Sequence, residues 1–195
     1  MKNLLVCIDL EMNNEPDLNN KLVVTDIIQI GACILDLKSN TIVDKFNKYV
    51  KLPDGKKVHP KIIQLTGITD ETLYTEGTSL YLAYKELEFF MSKYDVLRDS
   101  VSWGGNDGKY LCSELKNKCS FNENYVFNTN SLIDVKKIYQ MYCLKNGIKL
   151  KSGLGKSLTK VGLTFIGRQH DALDDAINAG RMLFFLCNNF KQLTK

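Results

Sequence analysis

Asp9 and Glu11 stand two residues apart at the end of the apolar run LLVCIDLE. In an extended strand, residues two apart share a face. Leu5, Cys7, Asp9 and Glu11 then point one way, and Leu4, Val6, Ile8 and Leu10 the other. Two carboxylates that continue one apolar face repel each other unless a cation lies between them. Donors that are oxygen only suit Mg²⁺ or Mn²⁺ better than zinc. Taken alone, the pair also fits a strand that has ended in solvated acids.

A second acidic group sits at residues 170–175, HDALDD. At 100° per residue the segment from about 171 to 188 shows a wide apolar arc. Leu173, Ala176, Ile177, Leu183, Phe184 and Cys187 form it, with Ala172, Ala179, Met182 and Leu186 continuing it. Asp175 projects inside this arc, and Asp174 projects outside it toward Asn178 and Arg181. A carboxylate facing packed neighbours is costly unless it is paired or metal-bound. Asp174 reads as a solvated acid that complements a helix N-terminus. Asp175 is therefore assigned the working role, and Asp171, at the edge of the arc, reads as incidental. His170 lies just ahead of this helix, where an imidazole of ordinary pKa (about 6.5) can take a proton from water at neutral pH. The other histidine, His59, reads as a surface residue in a Lys-rich turn.

A fourth carboxylate, Asp107, follows a Gly pair in SWGGND (102–107) and begins a helix. A helix N-cap is the competing role for it, and the Gly pair suits close backbone approach by a ligand. Together Asp9, Glu11, Asp107 and Asp175 supply four carboxylates, with His170 as a base. Such a set can hold two divalent ions about 3.5–4 Å apart, an arrangement that stabilises attacking and leaving oxygens in phosphoryl transfer.

Elements must bring these residues together. Strands are expected over 4–10, 27–37, 41–50 and 95–102. Helices are expected over about 60–65, 79–94, 107–118, 131–146 (capped by Ser131, stopped by Gly147), 153–161 and 171–188. Thr69 reads as the cap of a short turn. Three early strands followed by alternating helices and strands predict an α/β protein with a mixed central sheet flanked by helices. The 195 residues suit one domain spanning 1–195.

Net charge is only +4, but its distribution is uneven. From Lys136 to Arg168 there is no Asp or Glu and there are eight cations: Lys136, Lys137, Lys145, Lys149, Lys151, Lys156, Lys160 and Arg168. A one-signed stretch beside an acidic cluster suggests a polyanion held near bound cations, although a solvated face also explains such a run. The six cysteines form no CxxC pair and read as buried thiols. The start MKNLLVCIDL is interrupted by Asp9 too early for a signal peptide, and no apolar run is long enough for a bilayer span. An intracellular, cytoplasmic protein without a membrane partner is expected. GLGKS (153–157) hints at a phosphate loop, but the Walker pattern needs Gly where Leu150 stands, so ATP is not expected as a ligand.

These residues and their order resemble the DEDDh 3′–5′ exonucleases, of ribonuclease H-like fold, and among them the Eri-type exoribonucleases, relatives of enzymes that trim histone mRNA ends and small RNAs. The resemblance rests on DLEMNNE (9–15), IIQIGACILD (27–36), FNKYVKL, HPKIIQLTGIT, SWGGNDGKYL and GLGKSLTKVGLTFIGRQHDALDDAINAGRML (153–183). It implies about five strands, the first three antiparallel. It implies metal ligation by Asp9, Glu11, Asp107 and Asp175, with Mg²⁺ or Mn²⁺ as cofactor, and His170 as general base. It also implies that Met12 and the loop Leu65, Thr66, Gly67, Ile68 and Thr69 contact the terminal nucleotide, with Trp103 either lining the site or serving as a core aromatic. Lys156 would add positive charge for the substrate. The expected substrate is a single-stranded RNA 3′ end, cut to nucleoside 5′-monophosphates. A DNA exonuclease and a binding module without turnover are the alternatives.

Overall fold

The computed structural model describes residues 4–16, 22–120, 125–127, 131–151 and 153–190. Five strands form one sheet in the order β3-β2-β1-β4-β5. β1 (Leu4–Pro16), β2 (Leu22–Asp36) and β3 (Thr41–Tyr49) pair antiparallel, while β4 (Val96–Ser102) and β5 (Leu132–Asp134) run parallel to β1. The helices are α1 (Pro60–Thr66), α2 (Asp70–Glu76), α3 (Leu80–Ser92), α4 (Asp107–Cys119), α5 (Val135–Lys145), α6 (Leu154–Lys160) and α7 (Ala172–Phe190). This is the expected mixed sheet flanked by helices.

The alternation in β1 sorts its side chains between two cores. Val6, Ile8 and Leu10 pack with Ala83 and Leu87 of α3 and with Leu111 and Leu115 of α4. Leu5 and Cys7 pack on the other face with Tyr139 of α5 and Ala176 and Met182 of α7. Asp9 and Glu11 follow Leu5 and Cys7 in phase, so they emerge on the α7 side. β1 runs past its expected end because its pairing with β2 continues, interrupted by register shifts after Glu11 and after Asn13. Such bulges re-aim the side chains that follow them. Met12 nonetheless stays in phase with Leu10 and packs against the α3–α4 core, half-buried.

α7 meets the sheet at a glycine. A Cβ on Gly31 would lie 2.1 Å from the backbone of Ala172 and Leu173, and Gly31 is the β2 partner of Asp9. The bare backbone lets the first turn of α7 sit directly over β2, beside the strand that carries the acids.

Two local expectations need correction. Residues 131–146 are not one helix capped by Ser131. Leu132 and Ile133 pair with Ser100 and Val101 as β5, and Asp134 caps α5 by accepting from the Lys137 N–H at 3.1 Å. Three residues are too few to show a period of two. Thr69 caps a whole helix, α2, rather than a turn. His59 is a partly exposed residue, as expected, and it also works locally: its ring Nδ1 accepts from Lys61 N–H at 3.2 Å, and its own N–H donates to Asn13 at 2.9 Å. It caps α1 and ties that helix to the far end of β1.

Candidate active site

The acids converge. One donor atom each from Glu11, Asp175 and His170 lie within 4.8 Å of one another. Asp9, Glu11, Trp103, Lys156, Gln169, His170 and Asp175 line one cavity of about 390 Å³, together with Leu10 and the segment Gly153, Leu154 and Gly155. Asp9 and Asp107 stand outside the Glu11–Asp175–His170 group but act on it electrostatically.

Burial first, and then repulsion from neighbouring acids, raises the pKa of each carboxylate. Glu11 is pushed up to about 8, first by desolvation and then by Asp175, Asp171 and Asp107, with Arg168 opposing. Asp9 is held well above the usual carboxylate range by burial, then by Asp107, Asp175 and Glu11. Asp107 is raised by burial, offset by Ser102, its own amide and the backbone of Leu10. Asp175 rises to about 6 through burial, against the opposing influence of His170. Among the described residues, no Lys or Arg forms an ion pair with any of the four. Near neutral pH such a cluster must hold either protons or cations. Its oxygen-rich donor set fits Mg²⁺ or Mn²⁺, and uptake of such an ion would displace protons.

Each side chain is held by its own element. Asp107 is the first residue of α4, and Asn106 occupies the N-cap position. The Asp107 carboxyl is thus not consumed as a cap. The preceding Gly pair does not serve ligand approach at Gly105, where a Cβ would lie 2.9 Å from Asp134; the Gly104 N–H also donates to Asp134, at 3.2 Å. The loop is pinned to the end of β5. His170 has a positive φ of 63°, a conformation costly for a residue with a Cβ. Its N–H donates to Asp175 Oδ2 at 2.9 Å, which holds the strained backbone and leaves the exposed ring at the cavity wall.

The two adjacent acids of α7 do different work. Asp174 accepts the Arg168 N–H at 2.7 Å, so it anchors the incoming loop and does not line the cavity. Asp171 is not incidental. It caps α7 by accepting from Leu173 and Asp174 N–H groups, both at 3.1 Å. It also accepts from Gln29 Nε2 at 2.9 Å, while Gln29 Oε1 accepts from the Ala172 N–H at 3.1 Å. Gln29 Nε2 also donates to Asn47, at 3.0 Å. One fully buried amide on β2 thus clamps β3 and the start of α7. Sequence reasoning missed Gln29, although a polar residue in an Ile-rich strand is a visible oddity.

The loop at 65–69 needs a correction. Thr66 and Ile68 are buried, and the Thr66 hydroxyl donates to Ile62 and accepts from the Ile68 N–H. Those side chains face the protein interior. Leu65 and Gly67 are the exposed edge, with the Arg168 guanidinium over Gly67 and 3.4 Å from the Leu65 carbonyl. Trp103 takes both expected places. It lines the cavity and also packs on Tyr139, ring centroids 5.8 Å apart.

Known proteins resemble this chain in sequence and in fold. The family model for exonucleases (RNase_T) matches residues 6–183. The chain is 25% identical over 173 residues to ERI1 exoribonuclease 2 of Mus musculus, covering 78% of this chain and 24% of that protein. It is 25% identical over 174 residues to the 3′-5′ exonuclease Snipper of Drosophila melanogaster, covering 81% and 59%. The chain therefore spans between a quarter and three fifths of the length of these two relatives. Among solved structures, the nuclease domain of 3′hExo, a DEDDh family member bound to rAMP, superposes with a TM-score of 0.75 at 20% identity, over 96% of this chain and 93% of that one. That likeness shows the fold. The chain belongs to the exonuclease family, and its similarity within that family is to DEDDh 3′–5′ exonucleases of the Eri type.

Proposed function

We propose that this chain is a metal-dependent 3′–5′ exoribonuclease that shortens single-stranded RNA from its 3′ end and releases nucleoside 5′-monophosphates. The convergence of Glu11, Asp175 and His170 donor atoms within 4.8 Å, beside Asp9 and Asp107, carries this conclusion. The choice of RNA is supported by the resemblance to an exoribonuclease.

Asp9, Glu11, Asp107 and Asp175 would hold two divalent ions, Mg²⁺ or Mn²⁺. When bound, these supply charge neutralisation at the scissile phosphate and a lowered water pKa. His170 takes the proton from the attacking water as the new O–P bond forms. The bond from phosphorus to the 3′ oxygen of the shortened chain breaks, and that oxygen takes a proton from solvent. Trp103, at the cavity wall, offers an apolar ring for a splayed terminal base.

The close approach of His170 to Glu11 and Asp175 also favours a second role for the ring, as a metal ligand. One set of assays separates these possibilities. Matched end-labelled RNA and DNA oligonucleotides are digested with Mg²⁺, with Mn²⁺ and with chelator. Monophosphate release from RNA that stops with chelator is expected, and preferential cutting of DNA would replace the substrate assignment. His170→Ala should lower turnover by about 10²–10⁴-fold, the range of a lost general base, while Mn²⁺ affinity holds. Loss of Mn²⁺ affinity would make His170 a ligand instead.

A further inference from the structure

Three lysines gather around one hollow next to the acidic cavity, which sets them apart from the scattered lysines elsewhere on the surface. Lys48, Lys56, Lys85 and Lys118 are each paired with a carboxylate, through Glu86, Glu15 and Asp26, Glu88, and Asp26 and Glu114 respectively. Lys151, Lys156 and Lys160 form no such pair among the described residues, and no acid lies between positions 136 and 168 to provide one. All three are exposed. With Thr159 they line a separate cavity of about 450 Å³.

The geometry of α6 creates this cleft. Positions 156, 159 and 160 are three and four apart and so share one helix face. The buried Ser157 hydroxyl lies 2.9 Å from the Gly153 carbonyl and 3.3 Å from that of Lys151, holding the Lys151 backbone beside the helix. Lys156 lines both this cleft and the acidic cavity, so the two lie on either side of one side chain. Three unpaired like charges around one hollow repel each other, and a row of phosphates removes that repulsion.

We propose that the cleft of Lys151, Lys156, Thr159 and Lys160 is the site for the phosphates of the nucleotides upstream of the scissile bond, held without reading their bases. This rests on the exonuclease function proposed above and adds the path by which the strand leaves the cavity. Neutralising single-strand phosphates releases counterions, so each contact adds about 0.7 to the slope of log affinity against log salt.

The test compares the double variant Lys151→Ala/Lys160→Ala with wild type and with Lys38→Ala/Lys116→Ala, which removes two exposed lysines from elsewhere on the surface. Binding of a fluorescent RNA dodecamer is followed against salt in chelator, and KM and kcat are measured on the dodecamer and on a dinucleotide. Removal of two contacts should weaken dodecamer binding by up to about 25-fold near 0.1 M salt and lower the slope by about 1.4. KM for the dodecamer should rise while dinucleotide hydrolysis holds. Equal weakening by the two double variants would overturn the cleft and leave only general charge attraction. Equal losses on dodecamer and dinucleotide would also overturn it. If no RNA is cut at all, the exonuclease assignment fails, and the binding arm still decides the cleft.

Discussion

Asp175→Asn should abolish cleavage, and Asp174→Asn should leave it nearly intact. The two carboxylates are adjacent on one helix, yet only Asp175 lines the acidic cavity. Asp175 also accepts the His170 N–H at 2.9 Å. An asparagine there keeps the shape and removes the charge. A bound dication contributes several kcal/mol of transition-state stabilisation, so losing its ligand should lower turnover at least about 10³-fold. Asp174 accepts the Arg168 N–H, and an asparagine oxygen can accept the same bond. Its loss of charge at a partly exposed site should change turnover by no more than about threefold. Single-turnover cleavage of labelled RNA checks both variants. Equal losses would show that the helix face does not separate their roles.

Gly31→Ala should be nearly as damaging, although Gly31 carries no functional group. The added Cβ would meet the backbone of Ala172 and Leu173 at 2.1 Å, well inside the ordinary contact distance of 3.4–4 Å. Backbone on both sides cannot yield like a flexible side chain. The first turn of α7 would have to move by about 1 Å, and a misplacement of that size can lower turnover about 100-fold. Overpacking of this kind costs about 1–3 kcal/mol, which thermal unfolding would register. Wild-type turnover and stability in Gly31→Ala would mean that α7 is not seated by this contact.

The candidate site was largely legible because its signals are periodic. An alternation of two assigned Asp9 and Glu11 to one face of β1, the face that α7 covers. A period of 3.6 separated Asp175 from Asp174. What escaped is what periodicity does not encode. Gln29 and Asp171 are 142 positions apart, and their hydrogen bond exists only once β2 and α7 meet. β5 has three residues, and its strand character comes from pairing with β4 rather than from its own pattern. Thr66 and Ile68 were read by resemblance as substrate contacts, but the third small core, around Ile28, Val58 and Leu73, takes up Ile68 and leaves Leu65 and Gly67 at the surface.

Both large-effect variants depend on one physical fact. Four carboxylates, one buried and three partly buried, have pKa values raised by desolvation and neighbouring acids and have no Lys or Arg ion-pair partner among the described residues. The direct measurement is anomalous scattering from crystals grown with Mn²⁺ and a nucleoside 5′-monophosphate. Manganese coordinated by Asp9, Glu11, Asp107 and Asp175 is the expected result. Manganese bound elsewhere, or a cluster that holds none while the monophosphate is in place, would contradict it.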